Sequence, residues 1–320
     1  MSNESKKQTT LQLKVAELNQ MTPMQIVENE IVEQKFVTLY DAIHGSNHGQ
    51  MIYEKEKFNF MKLISENTDL QQSTRVSLYG CFLDMAVNGL GLDQTGRPLC
   101  YIIARSVKSG RKAPDGKDVY EKRAGVNVTG YGEVVMRMRA GQIRHCDNPI
   151  IVYEGDVFQP ELDELGNKKI KYKPLIPRKA GTKIIGAFIK ITRNDGTTDF
   201  QWMLEDDIER LKGFSSRANS KYENGQRVAG APNALYSSNK GQIDTGFLEN
   251  KMIKHAFDSY PKVRTGDFSK LETNDAPDVI DYGLNQEDTD EPTSFGQVET
   301  DDQQVETITI QPAQEEETYF

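Results

Sequence analysis

Residues 183–204, KIIGAFIKITRNDGTTDFQWML, carry the clearest structural signal in this 320-residue chain. Two apolar runs rich in β-branched and aromatic residues flank Asn194-Asp195-Gly196, and a turn of this composition between such runs is typical of a β-hairpin. The pattern therefore predicts antiparallel strands at 183–192 and 197–204. The elements around this hairpin decide what packs against it.

Periodicity elsewhere predicts a mixed α+β protein. Thr22, Pro23 and Gln25 form a helix-start signature, and apolar residues then recur at helical spacing. The predicted helices lie at 23–40, 57–66, 73–88, 131–140, 205–213 and 247–259, and the further predicted strands lie at 99–104, 119–128 and 143–153. We expect a central antiparallel, hairpin-containing sheet with flanking helices, preceded by an N-terminal helical region.

Charge separates a basic body from an acidic C-terminal segment. All 39 lysines and arginines lie at or before Lys270, whereas 15 of the 48 acidic residues follow it, so residues 1–270 carry a net +6 and residues 271–320 a net −15. The predicted regions are an N-terminal helical region (1–56), a core (57–270) and a disordered acidic tail (271–320). A basic body with an acidic tail is a common arrangement in nucleic-acid-binding proteins, where the tail competes with the phosphate backbone or only solubilises the protein.

Two basic runs are candidate surfaces for nucleic acid. The run from Lys168 to Arg193 holds nine basic residues and no acidic one, and the run from Arg97 to Arg144 holds eleven basic residues against four acidic ones. Aromatic residues are interleaved in both, which suits single-stranded nucleic acid because cations follow the phosphates while bases stack on rings. Solvated surfaces and core aromatics are the alternative interpretation.

The candidate DNA contacts are the basic residues Arg97, Arg105, Arg137, Arg139, Arg144, Lys171, Lys173, Arg178, Lys179, Lys183, Lys190, Arg193 and Lys254. Tyr131 and Phe188 are candidates for base stacking. Lys183 and Lys190 are an odd number of residues apart on one predicted strand, so we expect them on opposite faces, with at most one in the DNA groove.

The sequence lacks the residues that several other functions require. No Gly-Lys-Ser/Thr phosphate-binding loop occurs, which disfavours an ATP-driven strand exchanger. Glycines interrupt the helix that would align His44 with His48, so neither a metal site nor any other cofactor is expected. Asp244 followed by Glu249-Asn250-Lys251 faintly resembles a metal-dependent nuclease motif, and a nuclease stays an alternative.

The composition also indicates the cellular compartment. Three cysteines without metal-ligand spacing are expected to be reduced thiols. No apolar run is long enough to span a membrane, and the N-terminus is polar, so a cytoplasmic protein with no membrane partner is expected.

The order of local patterns over residues 57–262 resembles the RecT/Redβ group of phage single-strand annealing proteins, here called the RecT family. The patterns that carry the resemblance are Leu90-Gly91-Leu92-Asp93, then Gly132, Arg139-Ala140-Gly141-Gln142-Ile143, Val152-Tyr153-Glu154-Gly155-Asp156-Val157-Phe158 and Tyr260-Pro261. Thr129-Gly130-Tyr131 and Lys254-His255 depart from the family pattern, which places a cation after a Gly-Tyr pair and an arginine pair in the last helix.

This resemblance implies a non-catalytic, ATP-independent protein that coats single-stranded DNA and anneals complementary strands, with residues 57–270 as the annealing core. The implied partners are single-stranded DNA, the annealed duplex, further copies of the chain in a ring or helical filament, a phage exonuclease and a host single-strand-binding protein, all inside a bacterial cell. Besides the nuclease, a passive single-strand-binding protein is the remaining alternative.

Overall fold

The structure, a computed structural model, describes residues 13–93, 96–223, 226–263 and 284–285. Its helices are α1 (Val15–Gln20), α2 (Pro23–Glu28), α3 (Glu30–His44), α4 (Gly49–Glu66), α5 (Thr68–Gln71), α6 (Arg75–Asn88), α7 (Gly130–Arg139), α8 (Glu205–Ala218) and α9 (Thr245–Phe257), with a 3-10 turn at Ala234–Tyr236. Its strands are β1 (Leu13–Lys14), β2 (Cys100–Lys112), β3 (Asp118–Val128), β4 (Ile143–Cys146), β5 (Ile150–Tyr153), β6 (Val157–Leu162), β7 (Lys168–Lys173), β8 (Ile184–Arg193), β9 (Thr198–Leu204), β10 (Lys221–Glu223), β11 (Gln226–Val228) and β12 (Leu284–Asn285).

The first of two hydrophobic cores forms around α6. Every residue of α6 from Val76 to Asn88 is buried, and the ring of Phe82 packs against Phe36 and Phe60 at centroid distances of 4.8 and 5.1 Å. The long β2–β3 hairpin closes this core with one face, to which Cys100, Ile102 and Val128 belong. Because side chains alternate across a strand, the other face of β2–β3 points away from the core.

The start of the first predicted helix is confirmed, but its extent is wrong. Thr22 and Gln25 form the reciprocal capping box that the sequence indicates. The helix ends at Glu28, however, because the side chain of Asn29 accepts hydrogen bonds from the backbone N–H groups of Ile31 and Val32 and begins α3.

The second core lies under the central antiparallel sheet. Strand β8 pairs with β4 and β5 along one edge and with β9 along the other. The β8–β9 pairs run from Gly186 opposite Leu204 to Thr192 opposite Thr198, which confirms the predicted hairpin. Helices α8 and α9 cover one face of the sheet. The predicted α+β class, with a hairpin-containing antiparallel sheet and flanking helices, is confirmed.

Helix α7 joins the two cores. Its Met136 belongs to the first core and its Val134 packs against the second. Two glycines permit this close placement: a Cβ on Gly132 would lie 2.0 Å from the carbonyl oxygen of Leu99, and one on Gly130 would lie 2.6 Å from Oδ1 of Asn250. Helix α7 therefore fixes the base of β2–β3 against α9.

Strands β1 and β12 form a short parallel pair, in which Leu13 lies opposite Leu284. The remainder of the predicted disordered tail at 271–320 falls outside the described residues. The suggested boundary at residue 56 falls inside α4. Cys81 and Cys100 are buried, and Cys146 is half-buried. Among the described residues we find no helix with the length and hydropathy that a membrane crossing requires.

Candidate nucleic-acid interface

The outward side of the β2–β3 hairpin is an exposed surface that combines aromatic, apolar and cationic side chains. Tyr101, Ile103 and Arg105 alternate with core-facing neighbours on β2, and Gly125 and Asn127 are their outward neighbours on β3. Tyr101 is 44% exposed and Ile103 is 39% exposed. We call the surface formed by Tyr101, Ile103, Arg105, Gly125 and Asn127 the hairpin face.

Gly125 opens the middle of the hairpin face. It pairs with Ile103, and a Cβ placed on it would meet no atom within 4 Å. Glycine inside a strand costs stability relative to residues that pack, and it often marks a place where a ligand or another backbone approaches closely. No packing neighbour requires this glycine, so the space above it is available to a ligand.

Two half-buried lysines lie one turn apart on α9, and the second of them, Lys254, borders the hairpin face. The Nζ atom of Lys254 lies 3.4 Å from Oδ1 of Asn127, which ties α9 to the hairpin face, and Nζ of Lys251 lies 5.0 Å from the centre of the Phe247 ring. Burial lowers the pKa of Lys251. Burial together with repulsion from Lys251 lowers the pKa of Lys254, and attraction to Glu133 and Asp258 offsets part of this shift. Neither lysine forms an ion pair with a described carboxylate, whereas Lys183, for example, pairs with Glu205 at 2.7 Å.

The arrangement of these lysines favours an anionic ligand. Removing a cation from water without a counter-ion is costly, and the cost is repaid when an anion binds beside it. The N-terminus of α7, which carries a partial positive charge, lies at the same corner because Gly130 donates its N–H to Asn250 of α9 at 2.6 Å. The next residue, Tyr131, is 41% exposed. Arg105, Lys254 and Tyr131 of the predicted set therefore lie around one surface.

The lysines of β7 form a second cationic surface. Lys169, Lys171 and Lys173 are exposed and alternate with residues that face the central sheet. Lys169 and Lys171 make exposed ion pairs with Asp163 and Glu161, and such pairs exchange readily because each contributes at most about 1 kcal/mol. Lys173 and Lys179 form no ion pair with any carboxylate in the described ranges.

Phe188 is not available for base stacking, so this prediction is corrected. It is only 5% exposed, and its ring lies between Phe158 and Tyr172 at centroid distances of 5.7 and 5.2 Å. These contacts attach the β6–β7 hairpin to the central sheet. An apolar strand residue is far more often a core residue than a ligand contact.

Arg137 is a structural residue, contrary to its predicted role as a DNA contact. It is 4% exposed, and its guanidinium donates to the carbonyl oxygens of Pro261 and Phe257 at 2.8 and 3.3 Å. It also lies over the ring of Phe257 and pairs with Glu133. These contacts hold the chain beyond α9 against α7.

We expect Arg137→Lys to lower the free energy of unfolding by about 1–2 kcal/mol, because a lysine cannot keep the bidentate contacts of the guanidinium. Denaturant unfolding of the variant and the wild type measures this. DNA affinity, compared under conditions in which both proteins are folded, should stay within twofold. A large loss of DNA affinity at unchanged stability would indicate that Arg137 contacts DNA after all.

Most of the other predicted cations are exposed and engaged in local contacts. Arg97 approaches Asn148, Arg139 donates to the carbonyl of Gly89, Lys190 approaches Asp147, and Arg193 pairs with Asp199. Arg144 is exposed on β4. The structure leaves all five on the surface but outside the hairpin face.

The expected alternation of Lys183 and Lys190 does not follow from their spacing. Lys183 lies just before β8, and the pairing with β5 shifts by one residue at Ile185, so Ile184 and Ala187 both lie in the second core although they are three residues apart. Because this bulge interrupts the alternation, the odd separation does not determine the faces of the two lysines. The spacing argument fails because sequence periodicity does not reveal the bulge.

Asp244 of the possible nuclease motif and His44 of the possible metal site both have structural roles. Asp244 caps α9 by accepting the N–H of Phe247 at 2.8 Å, and the ring nitrogen Nε2 of His44 lies 2.9 Å from the carbonyl oxygen of Ala86. In the part of the chain that the structure describes, no three His, Cys, Asp or Glu side chains cluster as a metal site would require.

The fold and the surface together define an α+β protein with an exposed, aromatic-bearing sheet face. The sequence model of the RecT family matches residues 54–233, so more than half of the chain is covered and the protein belongs to the RecT family. Proteins of this family anneal single-stranded DNA in recombination and are generally non-catalytic. The search of curated proteins finds no significant match.

Proposed function

We propose that this protein binds single-stranded DNA and anneals complementary strands without ATP, with the hairpin face and Lys251 and Lys254 as its principal contact surface. The observation that carries the proposal is the pair of half-buried lysines, neither in a close ion pair with a described carboxylate, of which Lys254 contacts the exposed sheet face. Family membership supplies the class of ligand. Lys173 and Lys179 on the second surface, with Arg97, Arg139 and Arg144, are proposed to add phosphate contacts.

The proposed mechanism needs no bond cleavage. Two complementary strands repel each other through their phosphates, and cationic side chains lower that barrier by neutralising charge and releasing counter-ions. Tyr101 and Tyr131 offer exposed rings on which bases stack without sequence preference. Base pairing supplies the driving force and the sequence specificity, so the protein needs contacts only to the backbone and to the faces of the bases.

Further parts of the proposal rest on family membership. These are self-association into a ring or filament, binding of the annealed duplex, a phage exonuclease partner, a host single-strand-binding protein partner and action in the bacterial cytoplasm. The acidic tail is proposed to compete with DNA for the basic body, since its charge is opposite and it is tethered to that body.

The decisive experiment mixes the purified protein with two complementary labelled oligonucleotides in buffer without nucleotide. We expect energy transfer between the labels to appear faster than in the absence of protein. Affinity for one strand should fall with salt, with a slope of roughly 0.7 in log affinity against log salt for each neutralised phosphate.

Each competing function gives a different result in the same assay. A passive single-strand-binding protein would bind each strand but slow pairing, and a nuclease would shorten the oligonucleotides when magnesium is added. An absolute requirement for ATP would contradict the proposal, as would a salt-independent affinity.

A further inference from the structure

The carboxylate of Asp156 is the most completely coordinated acidic side chain near the second cationic surface. None of its side chain is exposed. It accepts hydrogen bonds from the backbone N–H groups of Tyr153 and Leu175 at 3.0 and 2.9 Å and from the hydroxyl of Tyr172 at 3.1 Å. The Nη2 atom of Arg178 lies 2.7 and 2.9 Å from the two oxygens of this carboxylate.

These donors keep Asp156 ionised. Burial by itself would raise the pKa of the carboxyl, but the N–H groups of Leu175 and Tyr153, with Arg178 and Tyr172, lower the pKa to about 2. The charge of Arg178 is therefore paired with an ionised Asp156 at neutral pH, where DNA binding is measured. The guanidinium also lies 3.9 Å from the centre of the Tyr153 ring, which further restricts its movement.

The same contacts hold the chain that follows β7. Asp156 binds the backbone at Leu175, at the start of residues 174–182. At the other end, Gln242 binds the carbonyl of Thr182 at 3.3 Å and the N–H of Ile184 at 2.6 Å. Between these anchors the carbonyl of Lys179 accepts the hydroxyl of Thr182 at 2.7 Å. The segment is thus fixed at both ends and within its final turn.

We propose that Asp156 is a positioning residue for DNA binding, which orders residues 174–182 so that Lys173 and Lys179 meet the phosphates, while Arg178 is held against Asp156 as the anchor. Both lysines are exposed and lie on either side of the anchored Leu175. Cations that are already ordered lose less conformational entropy when a strand binds, so the strand binds more tightly. This inference rests on the proposed function, because it concerns how DNA is bound.

The proposal predicts an effect opposite in sign to that of charge alone. Asp156→Asn removes a negative charge near the lysines, so a simple electrostatic effect would tighten DNA binding. If Asp156 acts by positioning, the variant should instead bind single-stranded DNA about three- to tenfold more weakly, because the lysines must be ordered at the moment of binding. Equilibrium titration of a labelled oligonucleotide measures the difference.

Variants of Arg178 distinguish a positioning role from direct contact with DNA. Arg178→Gln should give the same loss as Asp156→Asn, and the double variant should lose no more than either single one, because both act through one contact. Arg178→Lys should not restore full affinity, since a lysine lacks the planar guanidinium that lies over the Tyr153 ring. If Arg178 touches phosphate directly, Arg178→Gln weakens binding while Asp156→Asn strengthens it, and the proposal is overturned.

Glu161→Gln is the matched control. Glu161 is exposed and pairs with Lys171, so this change also removes one negative charge beside the lysines of β7, but it does not touch residues 174–182. It should leave affinity unchanged or slightly higher. Thermal unfolding of each variant sets a temperature at which all are folded, and Arg178→Gln keeps the test decisive if Asp156→Asn unfolds. Equal or tighter binding by Asp156→Asn overturns this inference alone, whereas a wild type that does not bind DNA overturns the proposed function.

Discussion

Replacing Lys251 and Lys254 together by methionine is expected to abolish most DNA binding without destabilising the protein. Each lysine is expected to contribute one charge-assisted phosphate contact worth about 1.5–3 kcal/mol, so each single substitution should weaken affinity about tenfold or more. The salt slope of single-strand binding should fall by roughly 0.7 for each lysine removed. Oligonucleotide titrations at several salt concentrations measure both quantities.

The stability of the same variants provides an independent test. Burial lowers the pKa of both lysines, so their charged forms are less favourable in the folded protein than in the unfolded chain. The resulting destabilisation is fully present below the folded pKa and disappears only as the pH rises above the unfolded pKa. Methionine removes this cost at neutral pH, so the free energy of unfolding should stay the same or increase. A coupled loss of stability and affinity would instead identify the lysines as structural.

Lysine pKa values also predict a pH dependence of binding. Because the pKa of Lys254 is lowered, its charge is lost at a lower pH than that of an exposed lysine. Affinity of the wild type for single-stranded DNA should therefore begin to fall below the ordinary lysine titration range, and this early fall should be smaller in a Lys254→Met variant, which keeps only Lys251. The same pH dependence in both proteins would exclude Lys254 as the titrating group.

Local signals predicted the fold well. The Asn194-Asp195-Gly196 turn sets the β8–β9 hairpin, because the turn and its flanking strands lie within one short segment. Errors arose where a short local interruption breaks a pattern: Asn29 divides one predicted helix into α2 and α3, and residues 147–149 divide one predicted strand into β4 and β5. Apolar periodicity alone does not show such interruptions.

The site was harder to predict because residue type does not reveal burial. Arg137 and Phe188 were expected to contact DNA, yet their partners at Pro261 and Tyr172 are supplied by the tertiary fold. The acid-free run at 168–193 likewise does not show that Arg178 has an acidic partner, because that partner, Asp156, lies 22 residues earlier in the chain.

Three further members of the candidate site, Tyr101, Gly125 and Lys251, were not in the predicted contact set. Alternation along 100–105 and 124–128 would have placed Tyr101 and Gly125 on one outward face, because their neighbours are apolar and core-facing. No sequence pattern could have brought Lys251 to that face, since its position depends on the packing of α7 against α9.

Gly125→Val is expected to block DNA binding by occupying space above the hairpin face. The added side chain would meet no protein atom near its Cβ, and valine favours strands, so the fold should be unchanged or slightly more stable. If a strand lies directly on the hairpin face, the branched side chain displaces it, and a steric conflict of about 1–3 kcal/mol should weaken affinity about five- to hundredfold. The salt slope should change less than in the lysine variants, because no charge is removed.

A graded series makes this prediction specific to the hairpin face. Gly125→Ala should weaken binding less than Gly125→Val, because its side chain projects less far toward the DNA. Gly213 on α8 is the matched control, since a Cβ there also meets no atom within 4 Å and Gly213 lies outside the proposed surface. Gly213→Ala should bind DNA as the wild type does. If Gly125→Val binds and anneals DNA normally while Lys254→Met does not, the strand contacts α9 but does not cross the hairpin face, and the stacking role proposed for Tyr101 is wrong.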